Sequence, residues 1–447
     1  EDAGLIKIDL LSLRTLAVVD EALRHIGQQR GVELDVDNLP LDDPAVYDLL
    51  QRADTVGCFQ VESRAQAQMQ PQLQARRFED IVVGVALIRP GPIQGGMVHP
   101  YLRRRQRLEP VAYAHPLLEA PLAETLGVIV FQEQVLRVAM AVAGFSPAQA
   151  DRLRRAMSRH RSDEAMAALR QRFLSGAQAH GLDQETAVEI WGQLAGFAGF
   201  GFCKSHAAAF ALLAYQTLYL KAHFPAEFFC ALLNHQPLGF YPPEVLVGDA
   251  RRHGVPVRPP DINRSQAACT LEPAGPGPSI RLGLGYVHGL GEAGQARIVE
   301  QRADAPFQSL HDVCWRTRLP RAVVENLIRA GALDALGWRS DLLWQLGGLL
   351  YQEAGLEMAA SIEAVELPVL DHAERLAWEY ELLGLAPGDH VMALYRPKLR
   401  GLGVLSSSEL SERRDGETVR VAGWAVVRQR PPTARGMLFI ALVAEQS

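Results

Sequence analysis

The chain opens on a period-two pattern. In "LIKIDLLSLRTL" (residues 5–16), Ile6, Ile8 and Leu10 share one face and Lys7 with Asp9 the other, which predicts a strand with one apolar and one charged side. A carboxylate among apolar neighbours is costly unless it meets a partner. Asp9 therefore faces a partner, a cleft or a metal, or else it lies on an edge strand with a solvated face. From Leu16 to about Phe229 helical spacing dominates, interrupted by an apolar strand at "LGVIVF" and by Pro and Gly at "RPGPIQGG" and "GFAGFGF". Residues 241–264 predict a short helix between proline-marked turns, and "EPAGPGPS" a flexible joint at a domain boundary. Residues 280–345 predict a compact unit of short helices. An acidic stretch follows, and "TVRVAGWAVVRQRPPTARGMLFIALV" predicts two strands around a Pro/Gly turn, the start of a small β-domain. Both ends run directly into strands, as expected of a piece of a longer protein.

Composition narrows the class. A chain of 447 residues suggests several cores, and 48% hydrophobic with 21% charged residues is a globular balance. No apolar run reaches membrane-spanning length and the amino terminus carries no leader pattern, so a reduced cytoplasmic location is expected. Five cysteines without a C-x-x-C pair support neither a zinc site nor a disulfide framework. A net charge of −6 argues against a uniformly basic surface, but the basic residues cluster in "YLRRRQR" and "DRLRRAMSRHR", where they can grip phosphate locally.

Two segments carry candidate phosphate chemistry. "GFSPAQADRLRRAMSRHR" starts a helix with Ser146 as N-cap, Pro147 at N1 and Gln149 at the capping-box position. Arg152, Arg155 and Arg159 then share a face while Leu153, Ala156 and Met157 turn to the core, so the arginines are either solvated or aimed at anions. In "GFAGFGFCKSHAAAFALLAYQTLYLKAHFP", glycines lead into an Ala-rich helix capped by Ser205 and ended by Pro225, which puts Lys204 and His206 at the positive end of its dipole. Such an end suits a triphosphate. "GYVHGLGEAGQARIVEQR" matches a helix-hairpin-helix, with the hairpin His288-Gly289-Leu290-Gly291 presenting backbone N–H groups to a DNA phosphate, and Arg297 on the following helix as a further contact. "LPRAVVENLIRAGALDALG" reads as a second copy; a plain helical hairpin is the alternative.

Taken in order, "IKIDLLSLRTL", "GCFQVES", "ALIRPGPIQGGMVHPYLRRRQ", "GVIVFQEQV", "RLRRAMSRHRS", "GFCKSHAAAFALLAYQTLYLKAHFPAEFF" and "PPDIN" resemble the bacterial C-family DNA polymerases, the DNA polymerase III alpha subunits, over nearly the whole chain. "RPGPIQGGMVHPYLRRRQ", "RRAMSRHRSDEAMAALRQRF" and "NHQPLGFYPPEVLVGDARRHGVPVRPPDIN" are most similar to the error-prone, damage-inducible paralogue; a replicative alpha subunit is the nearest alternative, and a non-catalytic DNA-binding scaffold a second. The resemblance implies a multidomain, mainly α fold: the last strand of an α/β palm (1–15), helical fingers (16–262), a tandem helix-hairpin-helix module (263–345), an acidic linker (346–416) and the truncated start of an oligonucleotide-binding β-barrel (417–447). It implies that Asp9 is the third catalytic carboxylate, helping to hold Mg²⁺, and that Lys7 lies near the triphosphate. Arg152, Arg155 and Lys204 would contact the phosphates of the incoming dNTP, His206 would lie near its sugar, and Arg89 and Glu133 close by. The family's other metal-binding aspartates lie in an upstream D-x-D motif that this chain lacks, so the chain alone is expected to be inactive. Implied partners are primer-template DNA, dNTP and, because Leu346 to Leu385 carry no convincing clamp-binding peptide, an accessory protein that recruits the enzyme to the sliding clamp.

Overall fold

The computed structural model describes residues 13–89, 96–158, 163–197, 202–239, 241–275, 277–352, 355–358, 367–410, 412–430 and 438–443. Lys7 and Asp9, with the rest of the segment expected as a charged strand, lie outside them, since residues 1–12 are not among those described; the description begins just before a helix, Arg14–Arg30. The chain divides into two compact units. One is Asp35–His223; the other joins the described residues up to Leu34 to those from Phe224 onward. The division cuts through the expected 16–262 range in two places. Among the described residues the architecture is mainly helical with small sheets, and no helix is long and apolar enough to cross a membrane.

In the Asp35–His223 unit, two helices that are apolar on most sides form the centre. Phe78–Leu87 is buried from Asp80 to Leu87 and packs along Lys204–His223, which is continuously buried from Leu213 to Leu218. A helix with so little polar face belongs inside a core. Lys221 lies fully buried on it, with its ammonium 2.9 Å from Asp54 Oδ1 and 3.2 Å from the Val56 carbonyl, as a buried charge requires. Gln132–Ala143 packs against Pro147–Ser158 and against Asp163–Ala179. The last of these crosses at Gly176, where a Cβ would lie 2.2 Å from the Ala143 carbonyl oxygen, so only glycine permits that approach. "LGVIVF" forms no strand: Phe131 makes a single parallel bridge to Phe202, and the apolar run is core lining between short helices.

In the other unit, Arg14–Arg30 packs on Pro225–Asn234, and the fully buried Glu227 receives Arg30 Nε at 2.6 Å. The expected joint "EPAGPGPS" is instead a β-hairpin: Thr270–Ala274 runs antiparallel to Gly277–Arg281, which pairs on its other side, in parallel, with Val257–Arg258. Two of its three prolines, Pro273 and Pro278, face each other near the turn, beyond the reach of the third strand, where a missing N–H costs little, and the third, Pro276, lies outside the described residues. Four short helices follow, Glu292–Asp304, Leu310–Thr317, Arg321–Arg329 and Arg339–Gly347. The acidic stretch contains His372–Leu383, capped by Asp371 with Glu374, and this helix packs on Arg321–Arg329. Glu379 receives Arg339 at 3.0 Å and Glu381 receives Arg329 at 2.7 Å, so two of its charges complete the preceding helical module. Near the end, Trp424–Gln429 pairs antiparallel with Phe439–Val443.

Candidate nucleotide and DNA interfaces

In the Asp35–His223 unit the start of the Gln132–Ala143 helix organises the first site. The buried Gln134 amide oxygen accepts the N–H groups of Val130 and Phe131 at 2.8 and 2.9 Å, and its amide nitrogen donates to the Thr125 hydroxyl at 2.7 Å. This fixes Glu133 in place. Gln132 N–H donates to the Phe202 carbonyl at 3.0 Å, and both Glu133 carboxylate oxygens accept the Lys204 amide, at 3.1 and 3.0 Å. A carboxylate there complements the dipole of Lys204–His223 and caps it from 71 residues upstream, whereas Ser205, the expected cap, falls inside the first turn.

Around that helix start, the structure gathers four of the expected residues. The Arg89 guanidinium lies 4.4 Å from the centre of the Phe202 ring and donates to Gln60 Oε1 at 3.2 Å. Burial pushes its pKa down. Among the described residues Arg89 has no carboxylate partner, so its other donors can serve an anion. His206 is exposed and lies between Phe202 and Phe210, at 4.9 and 4.1 Å, and Phe210 is 5.1 Å from Phe59. The Lys204 ammonium is held by Glu124, which Arg137 approaches to 3.8 Å.

The basic helix Pro147–Ser158 begins as its sequence predicts: Ser146 N–H donates to Gln149 Oε1 at 3.0 Å and Gln149 N–H to the Ser146 hydroxyl at 3.4 Å. Leu153 and Ala156 are buried, Arg152 and Arg155 exposed, and the helix lies against the one that carries Glu133. Asp151 pairs with Arg154 at 2.9 Å and with Arg155 at 2.7 Å, and these arginines, Arg154 first, hold its carboxyl below the usual range. Arg152 has no such partner among the described residues. An anion at this surface would compete with Asp151 for Arg155 and with Glu124 for Lys204, whereas Arg152 and Arg89 carry no competing carboxylate among the described residues. Arg159 lies outside the described residues, and the Met157 side chain is not described.

The second site lies in the other unit. Leu284–Tyr286 leads into a turn in which Gly289 adopts φ +82°, and Gly291 precedes Glu292–Asp304 without a side-chain cap. A Cβ on Gly289 would sit 3.0 Å from Asn326 Nδ2 in a left-handed backbone, whereas one on Gly291 would meet nothing within 4 Å. His288 has both backbone groups engaged: its N–H donates to the Leu382 carbonyl at 2.8 Å and its carbonyl accepts Asn326 at 3.0 Å. Among the described residues the N–H groups of Gly289, Gly291 and Glu292 have no acceptor, which leaves them at a helix start in the arrangement that receives a phosphate. Arg297 donates to the Thr317 carbonyl at 3.2 Å, at the end of Leu310–Thr317.

Known proteins match two separate parts of the chain. Residues 15–181 match the family model described as the bacterial DNA polymerase III alpha subunit finger domain, and residues 254–342 match a helix-hairpin-helix motif. The error-prone DNA polymerase of Methylococcus capsulatus is 43% identical over 469 aligned residues, covering 100% of this chain and 44% of that protein. That of Corynebacterium glutamicum is 46% identical over 446, covering 99% and 42%. That of Alkalilimnicola ehrlichii is 44% identical over 451, covering 100% and 44%. Along its whole length the chain is similar to relatives named error-prone DNA polymerase. It spans less than half the length of these curated relatives.

Several residues that shape the first site were not singled out from the sequence. Phe202 and Phe210 provide the aromatic surface under Arg89 and His206, and Glu124 holds Lys204. The only advance signal was the repeated phenylalanine of "GFAGFGF". Glu62, inside "GCFQVES", was likewise not singled out: burial pushes its carboxyl up to about 7, against the Gly57 N–H at 3.1 Å and the charge of Lys221.

Proposed function

We propose that this chain supplies the nucleotide-gripping and duplex-gripping parts of an error-prone, DNA-directed DNA polymerase, which joins dNTPs to a primer 3′-OH on a DNA template. The observation that carries this reading is the match, across the whole chain, to relatives named error-prone DNA polymerase. We assign fingers to 16–262, the tandem hairpins to 263–345, the last palm strand to 1–15 and the start of an oligonucleotide-binding barrel to 417–447, with the acidic region 346–416 between. In the fingers, Arg152, Arg155 and Lys204 bind the triphosphate, His206 lies by the sugar, and Arg89 on Phe202 adds a cation at the same helix start. Glu133 acts through Lys204, as the cap that orients it. In the hairpins, Gly289 and Gly291 offer N–H groups to duplex phosphates. His288 shapes that turn, and Arg297 flanks it.

DNA polymerases generally use divalent metals, and we assign Mg²⁺ to Asp9, with Lys7 beside the triphosphate. The carboxylates near the described cluster do not fit the ion: Glu124 and Glu133 are both taken by Lys204. A soluble cytoplasmic enzyme acting on primer-template DNA, delivered to the sliding clamp by an accessory protein, completes the reading. Primer extension by the full-length protein tests it. Asp9→Asn is expected to nearly abolish incorporation while leaving primer-template affinity unchanged, because a metal ligand is lost and not a DNA contact. Ordinary turnover in that variant would refute the assignment.

A further inference from the structure

We propose that the Asp35–His223 unit carries a second phosphate site, a groove that takes the backbone of single-stranded DNA. It encloses about 720 Å³ and is lined by Arg76, Arg104, Arg105 and Arg107, with glutamine amides between them and the apolar Val111 and Leu126. Among the described residues no carboxylate lines it.

The chain builds this groove from two helix ends. Arg64–Leu73 stops at Gln74, in the left-handed region, and Val98–Arg105 stops just before Gln106. The buried Asp80 ties the two together, accepting Arg76 N–H at 2.9 Å and the Arg105 guanidinium. Arg105 also donates to the Leu73 carbonyl at 3.3 Å, and Gln106 to that of Gln72 at 3.0 Å. Arg105 is thus consumed in neutralising Asp80 and a helix C-terminus, the ordinary structural use of such a residue.

The other three arginines are not. Among the described residues Arg76, Arg104 and Arg107 have no carboxylate partner. Arg104 donates to the Leu126 carbonyl at 2.7 Å, but its Nε is buried and bonded to nothing. Gathering three uncompensated guanidinium groups costs repulsion, which anions remove. A volume of about 720 Å³ is that of a few nucleotides of one strand. The groove's glutamine nitrogens are held by the carbonyls of Gln68, Pro71 and Gln72, which leaves the amide oxygens to accept from base edges that a duplex hides, and its apolar residues match base faces.

Single-strand binding by the full chain tests the groove without catalysis, so loss of the polymerase assignment and loss of this one are told apart. Anisotropy of a labelled oligothymidylate is followed against salt. Arg76→Ala combined with Arg107→Ala is expected to weaken binding about tenfold and to flatten the log–log salt slope by about 1.4, two contacts at about 0.7 each. Arg103→Ala, whose guanidinium belongs to Glu109, is expected to keep the parent slope. A double variant with parent affinity and slope overturns the proposal. So does inorganic tripolyphosphate that displaces the oligonucleotide at equal phosphate concentration, since the groove would then take free polyphosphate and not a strand.

Discussion

Removing the carboxylate of Glu133 isolates the contact that joins the two halves of the proposed nucleotide site. In Glu133→Ala the Lys204 amide loses acceptors at 3.0 and 3.1 Å. Hydrogen bonds to charged groups contribute about 1.5–3 kcal/mol and cap losses cost about 0.5–2 kcal/mol. Glu133 is half-buried, so water reaches part of the freed amide, and we expect a local cost of about 1–2 kcal/mol. Glu133→Gln keeps an acceptor and loses only the charge on the helix dipole, about 0.3–1 kcal/mol. Hydrogen exchange followed by mass spectrometry over 202–210 reads this directly. The amides of the first turn of Lys204–His223 should exchange about tenfold faster in Glu133→Ala and only a few-fold faster in Glu133→Gln, since about 1.4 kcal/mol is a factor of ten. In the full-length enzyme the apparent KM for dNTP should follow the same order, because fraying that turn displaces Lys204 and His206. Equal exchange in the parent and both variants would refute the capping role.

Two further outcomes follow from particular geometries. Gly289→Val should destabilise the protein by about 1–2 kcal/mol through its left-handed backbone alone, whereas Gly291→Val should melt like the parent yet bind duplex DNA more weakly with an almost unchanged salt slope; parent affinity would mean the hairpin only packs helices. Glu62, with its folded pKa raised to about 7, holds a proton between about 4.5 and 7 that the unfolded chain releases, so stability falls as pH rises through that window. Glu62→Gln should therefore gain on the parent between pH 5 and pH 8, by about 2.5 kcal/mol at most, and a gain independent of pH in urea titrations would contradict the buried carboxyl.

Local chemistry was legible where the partners are neighbours in sequence. The reciprocal bonds of Ser146 and Gln149, and the helix starting at Gly291, are written in a few adjacent residues. Long-range contacts were not. Glu133 as the cap of Lys204–His223 is a tertiary contact that no window around Lys204 contains, and the apparent cap Ser205 concealed it. "EPAGPGPS" has the composition of a joint, yet it pairs as a hairpin because Pro273 and Pro278 sit near the turn and on strand positions that need no donor. The acidic stretch looked like a connector, but Arg329 and Arg339 lie within reach of Glu381 and Glu379 only once the helices fold together.

The most direct test of the nucleotide assignment is a dNTP titration of primer extension by the full-length protein with Arg152→Ala, Arg155→Ala and Lys204→Ala. Each substitution should raise the apparent KM for dNTP, about tenfold where the lost phosphate contact is worth about 1.4 kcal/mol, and leave primer-template affinity at the parent value. Arg152 should show the larger effect of the two arginines, since Arg155 is already shared with Asp151 at 2.7 Å. Parent KM and turnover in all three variants would contradict the account and leave the basic helix as a solvated face.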